Sequence, residues 1–147
     1  MARTIGLATL VAGTLDILFA IILSLTYGRD PMAMLRYVAS GPFPAATDWG
    51  TAGSATGLLV HFTLMAIMAA AYVWWARPRP HLREMPIRAG VAYGVVTYII
   101  MNLIVVPMRF GMPVSPRPIS IASQLFAHVV LVGVPIALIT ARRSRLN

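Results

Sequence analysis

The chain has 147 residues, 59% of them hydrophobic and only 11% charged, and its mean hydropathy is +0.78. Soluble domains average about 45–50% apolar and about 25% charged, so this balance excludes an ordinary soluble domain and points to the bilayer as solvent. There is no cysteine, which excludes disulfides, thiolate metal sites and cysteine nucleophiles. The net charge of +8 comes from arginine without lysine, gathered at the ends of apolar runs rather than on a basic face interleaved with aromatics, so the pattern speaks for membrane orientation and against nucleic acid.

A hydrocarbon core of about 30 Å needs about 20 apolar residues in a helix, and four segments reach that length. The first covers about residues 4–27 and contains VAGTLDILFAIIL, with Asp16 in its middle. Arg3 precedes it, but the apolar run is too long for a signal peptide and no small-x-small cleavage site follows, so a retained span is expected. Next, Asp30-Pro31 offers an N-cap and a first-turn proline, and Gly41-Pro42 a stop, so a short helix is predicted over about residues 31–40. It is too short to cross and should lie at the outer interface or fold back on the bundle, with Met32, Leu35 and Val38 inward and Arg36 snorkelling. The second span covers about residues 50–75. Tyr72, Trp74 and Trp75 should mark one membrane interface, and Tyr27 and Trp49 the other. The loop ARPRPHLREMPIR follows, stiff with proline and arginine, with His81 as a solvated residue. The third span covers about residues 87–107, the loop MRFGMPVSPRP should be irregular, and the fourth covers about residues 119–141, where Pro135 should kink the helix or meet irregular backbone.

Eight of the twelve arginines (Arg3, Arg77, Arg79, Arg83, Arg88, Arg142, Arg143 and Arg145) fall on one side, against Arg29, Arg36, Arg109 and Arg117 on the other. The positive-inside rule then places both termini in the cytoplasm. Small residues at helical spacing (Gly53 with Gly57, Gly90 with Gly94, Ala8 with Ala12, Gly133 with Ala137) should let helices approach closely, within the monomer or in a homo-oligomer. The expected fold is therefore an all-α membrane protein, an antiparallel bundle of four transmembrane helices forming one domain, with a short interfacial helix in the first outer loop.

Every span carries one strongly polar group at about the same depth. Asp16, His61, Asn102 and His128 each lie about 12–15 residues from the cytoplasmic end of their span, roughly 18–22 Å deep at 1.5 Å per residue. Each also lies on a stripe of small or polar residues three or four apart, among them Tyr98 four before Asn102 and Gln124 four before His128, as a helix face turned to the bundle interior requires. The two halves even follow one order, a carboxylate or its amide and then a histidine.

A charge near mid-bilayer costs at least about 2.5–3.5 kcal/mol, so Asp16 must be protonated, paired, or turned to water or an ion. The main reading is an interhelical clamp in which Asp16, Asn102 and the two histidines hydrogen-bond one another. One alternative is a cofactor site, with His61 and His128 as axial ligands of a b-type haem, or with Asp16 completing a two-histidine, one-carboxylate transition-metal site. A second is passage of protons or a small solute, with Arg109 at the outer mouth. A third is an accessory role in which the polar layer meets a membrane-protein partner. No phosphate-binding loop, nucleotide fingerprint, zinc-protease motif or nucleophile elbow occurs, so no residue is assigned a catalytic role.

The pieces AGTLDILFA, RDPMAMLRYVASG, LLVHF, YIIMNLIVVPM and AHVVLVGVPIAL, together covering most of the chain from Ala12 to Leu138, resemble a family of small, functionally uncharacterised four-helix bacterial inner-membrane proteins. The resemblance implies four membrane helices and a bacterial inner membrane, and no activity. Where that family usually has a small polar run after the proline equivalent to Pro107, this chain has Met108-Arg109, so a role for Arg109 would be peculiar to it.

Overall fold

A computed structural model describes residues 1–111 and 117–144, and among them there are helices and no strand. Four helices are long and apolar enough to cross a membrane: α1 (Ala2–Thr26), α3 (Gly50–Ala76), α5 (Pro86–Phe110) and α6 (Pro118–Arg143). The short α2 (Pro31–Ala39) follows α1, and one turn, α4 (Pro80–Glu84), joins α3 to α5. This is the all-α bundle of four membrane spans that the hydropathy pattern predicts. Met112 to Pro116 of the second loop, and Arg145 of the charge pattern, lie outside the described residues.

Neighbouring spans run antiparallel. Arg77, just past α3, reaches the Met1 sulfur at the start of α1, and Phe19 of α1 packs on Phe126 of α6 with ring centroids 5.4 Å apart. The spans follow one another as α3, α1, α6 and α5, each packed on the next. The start of α1 and the end of α6 share one side, called here the Met1 side; α2 lies on the opposite side. Near the Met1 side, Ala8, Ala12, Ala69, Ala76, Val132, Ile136 and Ala137 form the buried core, where short side chains let three helices meet.

The glycine pairs explain the closest approaches. At Gly90 and Gly94 a Cβ would run into the backbone of Gly133, Val134, His128 and Val129, so α5 and α6 lie backbone to backbone. Gly53 and Gly57 serve a different partner from the one expected. A Cβ at Gly57 would fall on the Leu35 carbonyl and one at Gly53 on the Ala46 carbonyl, so this stripe of α3 receives α2 and the turn after it, not another span. The α2 helix thus folds back onto α3. The Asp30 carboxylate caps it, accepting from the Met32 and Ala33 amides at 2.9 and 3.1 Å, and the Ser54 hydroxyl of α3 donates to the Met32 carbonyl at 3.0 Å. Leu35 and Ala39 are its buried residues; Met32, expected to face inward, is exposed because its carbonyl, not its side chain, meets α3.

Two more expectations are corrected. Tyr72 does not sit in an interfacial belt beside the exposed Trp74 and Trp75: it is only 1% exposed, since it shares a helix face with Ala69 and Ala76 and packs on Tyr93 of α5 at 4.9 Å. Likewise α5 does not end at Pro107 but continues to Phe110, where Gly111 closes it in the left-handed region at φ +63°. The helix passes the proline because the preceding residues, Ile99–Val105, adopt a π-helix, which shifts the hydrogen-bond register before the missing amide. The same device recurs in α6, where the π-helical Ala127–Gly133 precedes Pro135. Asn102 lies in the first π-segment and His128 in the second.

Candidate functional site

Near the Met1 side, α3 and α5 are tied together: the Tyr93 hydroxyl donates to the Met68 carbonyl at 2.7 Å above the Tyr72–Tyr93 contact. Toward the α2 side a gap opens between residues of α3 and those of the π-segment of α5. The gap is a cavity of about 780 Å³. Asp16 of α1, with Gln124 and His128 of α6, forms its back wall. His61, Met65 and Met68 of α3 line one side, and Met101, Asn102 and Val105 of α5 the other. Tyr37, Phe43, Arg109 and Phe110 surround the α2-side end. All four mid-span polar residues therefore border one space, and most of the remaining lining is apolar.

They do not form one network. The quartet divides into two pairs, each within its own half of the chain. In the second half the bonds dictate one another. A carbonyl only accepts, so the Thr97 hydroxyl donates to Gly94 at 2.9 Å. Its oxygen is then an acceptor for the His128 Nδ1–H at 3.3 Å. The Asn102 amide nitrogen can only donate, so His128 Nε2, 3.2 Å away, is the acceptor and carries no proton. His128 is thus a neutral imidazole with both nitrogens engaged, 9% exposed, and flanked by Tyr98 edge-on at 6.0 Å.

In the first half the bonds leave a choice open. His61 Nε2 must carry a proton, since it meets the Gly13 carbonyl at 3.0 Å. Its other nitrogen, Nδ1, lies 3.8 Å from an Asp16 carboxylate oxygen, within ion-pair range but too far for a direct hydrogen bond. The Asp16 side chain keeps 20% of its surface exposed and, among the described residues, accepts no hydrogen bond. Asp16 also belongs, with Gln124, to the partition between this cavity and a second one of about 490 Å³ between α1 and α6, whose rim holds Arg29 and Arg117.

Arg109, expected at the outer mouth of a solute path, lines the α2-side end of the cavity and acts there as a strut. Its guanidinium donates to the Ser40 carbonyl at 2.8 Å and to the Gly41 carbonyl, holding the end of α2 against the end of α5. Tyr37 stacks on Phe110 at 4.5 Å beside it. Desolvation lifts the Tyr37 hydroxyl above the ordinary tyrosine range, with the Arg109 charge pulling the other way, so it remains a neutral donor at the rim.

This arrangement bears on the cofactor readings. Among the described residues, no three of His, Cys, Asp and Glu come together as a metal site, so the two-histidine, one-carboxylate centre is not assembled. For a haem between His61 and His128, both Nε2 atoms already hold partners inside the wall, Gly13 and Asn102. Neither group fits the residues as they are arranged. Thr97 escaped the sequence reading because one threonine in an apolar helix carries no signal; its place three residues after Gly94, on the stripe that meets α6, was the available clue. Tyr93 and Met68 were equally illegible, because their contact depends on how far α3 and α5 diverge. Comparison with family models, curated proteins and solved structures finds no match for this chain.

Proposed function

We propose that this membrane protein binds a small, largely apolar molecule that enters from the bilayer into the gap between α3 and α5. The observation that carries the reading is the cavity itself: about 780 Å³, bordered by methionine, aromatic and aliphatic side chains, with a few polar groups gathered on its inner walls. Ligand sites typically enclose about 300–1,000 Å³ with this mixture, apolar surface for affinity and a few fixed polar groups for orientation. Met65, Met68 and Met101 are unbranched and polarizable, and suit occupants of varied shape.

On this reading the Asn102–His128–Thr97 chain is the clamp. It fixes α5 to α6 at the level where both helices are π-wound, and keeps the back wall in place beside an unfilled gap. Asp16 and His61 are the polar end of the binding site. The arginine distribution supports placing the Met1 side in the cytoplasm, and the motif resemblance supports a bacterial inner membrane. The cavity is then reached from the outer half of the bilayer, and passage of a solute or contact with a partner subunit would be built on the same gap.

The test is photo-crosslinking. A diazirine-bearing naphthylalkyl alcohol is added to the protein in lipid nanodiscs and adducts are mapped by mass spectrometry. The expected result is adducts concentrated on Met65, Met68 and Met101. Adducts spread evenly over exposed residues away from the cavity, such as Ile22, Ile67 and Leu103, would show mere partitioning into lipid and end the proposal.

A further inference from the structure

The hydrogen-bonding inventory of the cavity is one-sided. Its threonine hydroxyls are turned away, since Thr56 and Thr63 donate to the Ala52 and Leu59 carbonyls of their own helix at 2.8 Å each, which leaves the Tyr37 hydroxyl at the rim as its one hydroxyl donor among the described residues. The Asn102 amide nitrogen is directed to His128, which leaves its carbonyl oxygen without a partner among the described residues. The Arg109 guanidinium is engaged by the Ser40 and Gly41 carbonyls. His128 has no nitrogen to offer, and the His61 Nε2–H belongs to Gly13. Among the described residues, what remains unsatisfied on the inner wall is mostly acceptor: both oxygens of Asp16 and the carbonyl oxygen of Asn102. Gln124, equally unpartnered, can serve either way. Among the lining residues Asp16 is the sole acid, and the group nearest to it, His61, stands 3.8 Å off.

Resting on the binding function proposed above, we infer that the occupant carries a positively charged nitrogen: it is an amphipathic organic amine whose ammonium group meets Asp16 and Asn102 while its apolar body lies among the methionines. An ammonium has N–H donors and no acceptor, which is the complement of this wall. A carboxylate in a low-dielectric site is stabilised by an opposite charge at contact, and charge-assisted hydrogen bonds are about twice as strong as neutral ones. At the α2-side end Phe43 adds an aromatic ring, while Phe110 is already taken up by Tyr37 and the Arg109 guanidinium. The charged groups that face Asp16 do not already neutralise it. His61 on α3 can offer at most one charge, from beyond hydrogen-bond reach; His128 on α6 is neutral; Arg109 at the mouth is engaged by carbonyls. Arg29 and Arg117 line the second cavity, which Asp16 also borders, and the ion-pair contact recorded for Asp16 is with His61.

The experiment compares three fluorescent probes with one carbon skeleton, a naphthylalkyl ammonium, its alcohol and its carboxylate. Binding is measured to the protein in nanodiscs of zwitterionic lipid, with empty nanodiscs subtracted. The expected order is ammonium, alcohol, carboxylate, with the ammonium ahead of the alcohol by about tenfold or more, a ratio worth about 1.4 kcal/mol. Asp16→Asn should remove that advantage, so that the ratio of ammonium to alcohol binding falls to about one. An alcohol that binds as tightly as the ammonium, or an ammonium preference that survives Asp16→Asn, overturns the charge assignment while the binding function stands. If none of the three binds, the binding function falls and the charge assignment with it. The ranking on the native chain needs no variant, so it remains decisive if Asp16→Asn fails to fold.

Discussion

The two halves of this chain carry nearly the same residues to the same depth and use them oppositely. In α5 and α6 an amide faces a histidine, and a chain of hydrogen bonds of 3.3 Å or less runs through Asn102, His128, Thr97 and Gly94. In α1 and α3 a carboxylate faces a histidine at 3.8 Å, and the carboxylate is left without a hydrogen bond among the described residues. The first arrangement ties its helices together and leaves only the Asn102 carbonyl oxygen to face the cavity. The second keeps its capacity for a ligand. An amide in place of a carboxylate is a small change, yet it removes the charge whose burial would otherwise require a partner. The comparison teaches that a polar residue inside a membrane helix is not a functional signal by itself; whether its hydrogen-bonding capacity is already filled decides the matter.

That contrast can be attacked from its foundation outward. The largest effect is expected at the α5–α6 contact. Gly94→Val places atoms on the His128 and Val129 backbone, and since backbone cannot step aside the damage should reach or exceed the usual 1–3 kcal/mol of overpacking, read as loss of folded protein in a detergent melt. Gly6→Val, where no atom lies within 4 Å, should stay within about 0.5 kcal/mol of the native chain. Next, Thr97→Val keeps the shape but strands the His128 Nδ1–H, and should lower stability by about 1–2 kcal/mol, measured by unfolding in mixed micelles.

A sharper version is a pair of double-mutant cycles. Asn102→Leu combined with His128→Leu should show coupling of about 0.6–1.7 kcal/mol, the range of interhelical hydrogen bonds in membranes. Asp16→Asn combined with Asn102→Leu should be additive to within about 0.5 kcal/mol, because the two pairs share no bond. Strong coupling between the halves would mean that the four groups act as one network. The smallest global effect belongs to Arg109→Ala. It should leave the bundle standing but release the end of α2, seen as faster hydrogen exchange at Leu35 to Gly41 than in the native chain.

Much of this was legible in the sequence because it depends on length and period. Apolar runs long enough to cross the bilayer fixed four spans, Asp30-Pro31 marked the start of α2, and depth counting singled out Asp16, His61, Asn102 and His128. What escaped depends on how helices lean. Hydropathy treats all neighbours alike, so it could not say that α3 and α5 part on the α2 side, nor that Gly53 and Gly57 receive α2. Depth alone also joined the four polar groups into one centre. Their division into pairs follows from a threonine hydroxyl and a glycine carbonyl, two groups with no distinctive sequence signal. Pro107 and Pro135 announced irregular backbone, but not that the irregularity would be a π-helix carrying Asn102 in one span and His128 in the other.

The division of labour is tested most directly by measuring thermal stability and ammonium-probe binding side by side on purified Thr97→Val and Asp16→Asn. Thr97→Val should melt a few degrees lower than the native chain and bind the probe nearly as well, while Asp16→Asn should melt at or near the native temperature and lose the preference for the ammonium. Should stability and binding fall together in both variants, the two pairs are not separate devices and the account is wrong.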